Sequence, residues 1–128
     1  MAGCLQVVTT IDTKEHADAI GKKLLEKRLA ACVQIGGPIS SSYWWKGEVE
    51  TAEEWRCIIK TTVEKYNDVE RPVRANHPYE EPEIIGLAIT AGSSTYPKWI
   101  EDTLLLKILV VLRRGLLMNR KPHNKSLQ

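Results

Sequence analysis

Two extended runs, Cys32 to Trp45 and Glu48 to Thr62, flank Lys46-Gly47, and nothing else in the chain restricts its fold as much. A Lys-Gly step between β-rich segments reads as a hairpin turn, the glycine supplying the positive φ that a two-residue connection needs. In the second run Trp55, Cys57 and Ile59 alternate with Arg56, Ile58 and Lys60, the period of a strand. Gly36-Gly37-Pro38 interrupts the first run as a bulge or bend would, without ending it. A two-stranded ribbon is marginal in water, so the rest of the chain has to supply more strands and a helical cover. At 128 residues the chain is long enough to do so as one domain with a real core.

Those partners are legible. Leu5 to Thr10 is a short β-branched strand, and Asp12-Thr13-Lys14-Glu15 has the spacing of a capping box with Asp12 as N-cap. Ala17, Ile20, Leu24 and Ala31, with Gly21 and Leu25 alongside, recur at helical spacing, while Lys22, Lys23, Glu26 and Lys27 fall on the opposite side. Tyr66, Val69 and Val73 mark a weaker second helix that Pro72 is expected to break or kink around Arg71. Ile84 to Ile89 is apolar at both parities, as in a strand covered on both faces. The order is βαββαβ, the α/β sandwich of the ferredoxin-like plait: one sheet, two helices and a long hairpin.

Composition narrows the classes. Apolar residues are 43% and charged residues 27%, as in an average soluble protein. Cys4, Cys32 and Cys57 are odd in number and form no Cys-x-x-Cys pair, which argues against a disulfide framework or zinc knuckle and for a reducing, cytoplasmic setting. Cys32 and Cys57 read as small buried hydrophobes. Met1-Ala2-Gly3-Cys4-Leu5 lacks the basic and apolar regions of a secretory signal.

Charge divides the chain into an acidic body and a basic tail: residues 1–106 hold twelve Lys/Arg and all sixteen Asp/Glu, whereas residues 107–128 hold six basic residues and no acid. The apolar stretch Leu104–Leu112 carries Lys107 and stops at Arg113-Arg114, far short of the roughly twenty residues a membrane-spanning helix needs. A C-terminal helix docked on the sheet, with a disordered end after Asn119, is preferred to association with an anionic membrane surface. Tyr43, Trp44 and Trp45 beside the turn suit packing on another subunit or on the hairpin's own base. No basic-aromatic interleaving marks a nucleic-acid partner.

Asn76 to Ile84 is the chemically densest stretch, with His77, Tyr79, Glu80, Glu81 and Glu83 around Pro78 and Pro82. The two prolines leave Asn76 to Glu81 outside any helix and stiff. One imidazole with Glu80 and Glu83 suits weak binding of Cu or Zn, with no metal required for folding. The structural alternative has His77 capping the end of the second helix, with Glu80 and Glu83 solvated or paired with Lys60 or an arginine. Thr9, Thr10, Thr61 and Thr62 supply hydroxyls, but no activated nucleophile or Gly-rich phosphate loop is present, so the chain does not read as an enzyme.

Four separated motifs, Leu29-Ala30-Ala31-Cys32-Val33, Tyr43-x-Trp45-x-Gly47, Ile59-Lys60-Thr61-Thr62 and His77-Pro78-Tyr79-Glu80-x-Pro82-Glu83-Ile84, resemble those of the CutA family, named for divalent cation tolerance. The resemblance runs from about Leu5 to Ile100 and fades beyond it. It implies a ferredoxin-like subunit in a tight homotrimer of PII-like architecture, with His77, Tyr79, Glu80, Lys60 and Trp45 near an inter-subunit cleft; we place Thr10 there too. Val8-Thr9-Thr10 stands where some bacterial members carry a cysteine linked to copper, so soft thiolate ligation is absent at that point. The role implied is divalent metal (copper) tolerance through a trimeric binding or signalling module. The alternative is a protein-interaction scaffold, the family being associated in animals with acetylcholinesterase anchoring and maturation.

Overall fold

The computed structural model describes residues 3–105; the expectations made for 107–128 lie outside the described residues. The elements run β1 (Cys4–Ile11), α1 (Lys14–Glu26), β2 (Cys32–Trp45), β3 (Glu48–Thr62), a single 3-10 turn (Val63–Lys65), α2 (Tyr66–Ala75), β4 (Ile84–Ile89) and α3 (Tyr96–Leu105). One four-stranded sheet has the order β2-β3-β1-β4, each pair of neighbours antiparallel. This is the ferredoxin-like plait, with α3 added.

The hairpin forms as its sequence directs. Trp45 pairs with Glu48 around Lys46 and Gly47, at φ 51° and 86°, so the turn takes the left-handed geometry that matches strand twist. Register slips between Gly36 and Ile39, the bulge expected at Gly36-Gly37-Pro38. Beyond it, Ile39 to Trp45 pairs only with β3, and the ribbon projects past the sheet with Trp44 74% exposed.

The N-cap and the end of α1 differ from the expected ones. The N-cap of α1 is Thr13, whose hydroxyl accepts from the His16 amide at 3.0 Å, while the Asp12 carboxylate lies 2.7 Å from His16 Nδ1. Asp12 and Thr13 are both competent caps, and the Asp12–His16 pair leaves the role to threonine. The helix ends at Glu26, ahead of Ala31, and the chain leaves it through Arg28 at φ 55°. Pro72 does not break α2, which continues to Ala75. Proline removes one amide donor there, but Val69 and Val73 on either side are fully buried and hold the helix to the sheet.

α1 and α2 cover one face of the sheet. Val7, Ile11, Cys57 and Ile59 of the strands meet Ala17, Ile20, Leu24, Val69 and Val73 in the main core. On the opposite face α3 seals only one end, where Ile100 and Leu104 join Cys4. Among the described residues β4 is therefore not covered on both faces: Ile85 is 45% and Leu87 48% exposed.

Candidate functional site

The loop after α2 closes onto the end of β1 because its ring side chains are tied to the sheet. Asn76 ends the helix, its side-chain amide donating to the Pro72 carbonyl at 2.7 Å. His77 is thereby free of the capping role expected for it: its Nε2 lies 2.8 Å from the Thr10 carbonyl, and the Tyr79 amide donates to its Nδ1 at 3.2 Å. Since Nδ1 accepts, the proton sits on Nε2, and the ring is the neutral tautomer. Burial holds its pKa below the usual imidazole value, opposed by the hydrogen bond to Thr10 and by Asp12 and Glu54.

Tyr79 stacks at a tilt on His77, with ring centroids 4.7 Å apart, and its hydroxyl donates to the carboxylate of Glu54. Burial first, and then Glu54, raise the phenol's pKa well above its ordinary value. Glu54 comes from β3 at the hairpin's base, opposite Ile39, and is only 6% exposed. It forms no ion pair among the described residues, so Tyr79 supplies a hydrogen bond that a buried carboxylate requires. Thr10, itself buried, donates its hydroxyl to Glu83 Oε1 at 3.3 Å.

The structure thus brings together Thr10, His77, Tyr79 and Glu83, and adds Glu54 and Asp12, which sequence reasoning missed. Glu80 is exposed and belongs to no ion pair among the described residues. Lys60 stands apart. It pairs with Gln6, whereas Thr10 pairs with Arg56, a separation of about 13 Å along the strand. Its ammonium lies 5.5 Å from the Tyr96 ring centroid, near the start of α3. Trp45 lies at the hairpin tip under Lys46, roughly 20 Å along the ribbon from the level of Glu54. Among the described residues no group of three or more His, Cys, Asp or Glu side chains is placed to hold one metal ion.

Chemically, the site is a stiff, acid-rich wall. Asp12 and Glu54 act on one neutral imidazole whose orientation the Thr10 carbonyl fixes, Glu83 is bonded to Thr10, and Glu80 and Glu81 are exposed on the same loop.

This chain matches the family model described as CutA1 divalent ion tolerance protein over residues 5–103. It is 42% identical over 97 residues to the divalent-cation tolerance protein CutA of Archaeoglobus fulgidus, covering 76% of this chain and 94% of that protein. To the protein CutA homolog of Danio rerio it is 40% identical over 90 residues, covering 70% of this chain and 60% of the relative. The solved structure of the periplasmic divalent cation tolerance protein CutA from Archaeoglobus fulgidus superposes with a TM-score of 0.76 at 40% identity, covering 79% of this chain and 98% of that one. The CutA1 structure from Oryza sativa gives 0.76 at 36% identity, covering 79% and 93%. The family model and the Archaeoglobus fulgidus protein are named for tolerance of divalent cations, not for an enzymatic activity. With a matching family model across most of its length and the plait of its solved relatives, the chain belongs to the CutA1 divalent ion tolerance family.

Proposed function

We propose that the protein serves divalent-metal tolerance as a trimeric binding module, weakly taking up Cu(II) or Zn(II) at the His77 wall. The observation that carries this is the orientation of His77. A ligating imidazole characteristically donates its other ring N–H to a carbonyl or carboxylate, and the Nε2–H bond to Thr10 leaves Nδ1 as the donor atom. Tyr79's amide occupies Nδ1 at 3.2 Å, a contact that a cation can displace, while Glu80 and Glu83 supply hard oxygen donors nearby in sequence. A bound ion would supply charge and ligand-exchange chemistry; the protein would supply orientation and an acidic field.

One subunit offers too few convergent donors, so the reading requires a neighbour. The open sheet face with Ile85 and Leu87, and the uncovered outer edges of β2 and β4, support closure by further copies, which would also bring Trp45 and Lys60 towards the wall from adjacent subunits. The three cysteines are free, in keeping with a reducing, cytoplasmic location. Calorimetry with Cu(II) and Zn(II) tests the proposal: saturable heat that His77→Ala abolishes supports it, and heat unchanged by that substitution refutes it.

The scaffold reading rests on a different feature. Tyr43, Trp44 and Val49 are exposed on the projecting ribbon, as an aromatic docking element would be. A protein partner held there would survive His77→Ala and be lost on Trp44→Ala.

A further inference from the structure

Tyr79 is bonded at both ends, and its two partners lie in different parts of the fold. Its amide donates to His77 Nδ1 at 3.2 Å, and its hydroxyl donates to the buried carboxylate of Glu54. Glu54 faces Ile39 across the hairpin, in the first pair beyond the register slip that follows Gly36. From that pair outward no third strand flanks the ribbon among the described residues, since β1 ends at Ile11, opposite Trp55. Tyr79 therefore ties the loop that carries His77 to the base of the ribbon that exposes Tyr43, Trp44 and Val49. Burial first, then Glu54, Asp12 and Tyr43, raise the phenol's pKa and keep its hydroxyl a donor.

The two bonds compete once His77 takes a ligand. A divalent cation sits about 2.0–2.1 Å from an imidazole nitrogen. With the Tyr79 amide nitrogen 3.2 Å from Nδ1, that position leaves about 1 Å between cation and amide, so the amide has to withdraw. The Tyr79 ring is stacked on the same imidazole, 4.7 Å between centroids, and moves with its backbone. An O–H···O bond holds only within about 2.5–3.0 Å, so the hydroxyl cannot follow the ring and stay on Glu54. Glu54 then lacks the donor that a buried carboxylate requires, at the pair where the ladder has already slipped. We infer that Tyr79 couples the wall to the ribbon: a cation taken up at His77 Nδ1 releases the hydroxyl from Glu54 and loosens the ribbon's base, and the anchored ribbon in turn weakens cation uptake. This rests on the reading of His77 as the cation's ligand and adds to it a response in the aromatic ribbon.

Zinc calorimetry and hydrogen exchange on the unaltered protein and on Tyr79→Phe test the coupling. The substitution keeps the ring and every charge but removes the bond that uptake has to break, so Tyr79→Phe should bind Zn(II) about tenfold more tightly. In the unaltered protein saturating Zn(II) should speed exchange at amides 39–43 and 50–54 about tenfold, whereas in Tyr79→Phe they should exchange fast already and not respond to zinc. Unchanged or weaker affinity in Tyr79→Phe, or ribbon exchange in the unaltered protein that zinc leaves as it was, overturns the coupling while His77-dependent heat still supports the metal reading. Heat that His77→Ala leaves unchanged overturns both. Where Tyr79→Phe does not fold, the zinc response of exchange in the unaltered protein decides alone.

Discussion

Tyr79→Phe removes one oxygen atom and tests whether the loop is anchored to the hairpin's base. The hydroxyl it deletes donates to Glu54, a carboxylate 6% exposed and without an ion-pair partner among the described residues. Hydrogen bonds to charged groups contribute about 1.5–3 kcal/mol, and here the loss leaves a buried carboxylate short of a donor. A cost of about 2 kcal/mol follows, worth roughly 8 °C in Tm for a domain of this size. Urea unfolding followed by tryptophan fluorescence measures it, with the m-value expected to stay constant so that the midpoint shift reports stability alone. In a Glu54→Gln background the same substitution should cost about 1 kcal/mol or less, because a neutral acceptor loses a weaker bond. A cost below about 0.5 kcal/mol in the unaltered background, or an equal cost in both, would refute the proposed anchor.

Other consequences follow from single groups. His77 is held neutral, with its pKa lowered by burial, so the unfolded chain binds the extra proton first; stability should be full above pH about 6.5 and fall as pH drops towards the lowered folded value, and His77→Gln should flatten that part of the profile. Gly37→Ala places a Cβ 2.9 Å from the Trp55 ring and 3.0 Å from the Glu54 carbonyl oxygen, so a loss of about 1–3 kcal/mol is expected in the same urea assay, whereas Gly3→Ala, whose Cβ meets nothing within 4 Å, should be near neutral. Burial raises the Cys57 thiol to about 11, so at pH 8 the native protein should leave Cys57 unlabelled by a disulfide reagent until denaturant is added; rapid labelling in the native state would contradict its place in the core.

The parts of this fold that are legible in sequence are those with a local physical signature. Lys46-Gly47 between period-two runs, the bulge at Gly36-Gly37-Pro38, and the spacing of Ala17, Ile20 and Leu24 each specify their own geometry. Pro72 misleads because tertiary burial of Val69 and Val73 outweighs one lost amide bond. α3 had a signal that went unread: Ser93 accepts from the Tyr96 amide, and Pro97 sits in the first turn, where a missing N–H costs nothing.

The site was half legible. His77, Tyr79 and Glu83 stand out because prolines bracket them, and Thr10 joins them only because β1 and β4 pair in a register that sets Thr9 opposite Ile84. Glu54 was lost among Glu48, Glu50 and Glu53, three exposed carboxylates from which sequence gives no means of separating the buried one. Lys60 and Trp45 come from motifs that a single subunit leaves far from the wall, and no periodicity within one chain would bring them to it.

Crystals soaked in copper or zinc and measured at the metal's absorption edge test the central claim directly. An anomalous peak is expected within about 2.0–2.2 Å of His77 Nδ1, with carboxylate oxygens of Glu80 or Glu83 and a group from a neighbouring subunit completing the coordination. No peak beside His77 at saturating metal, with Tyr79's amide still donating to Nδ1, would contradict it.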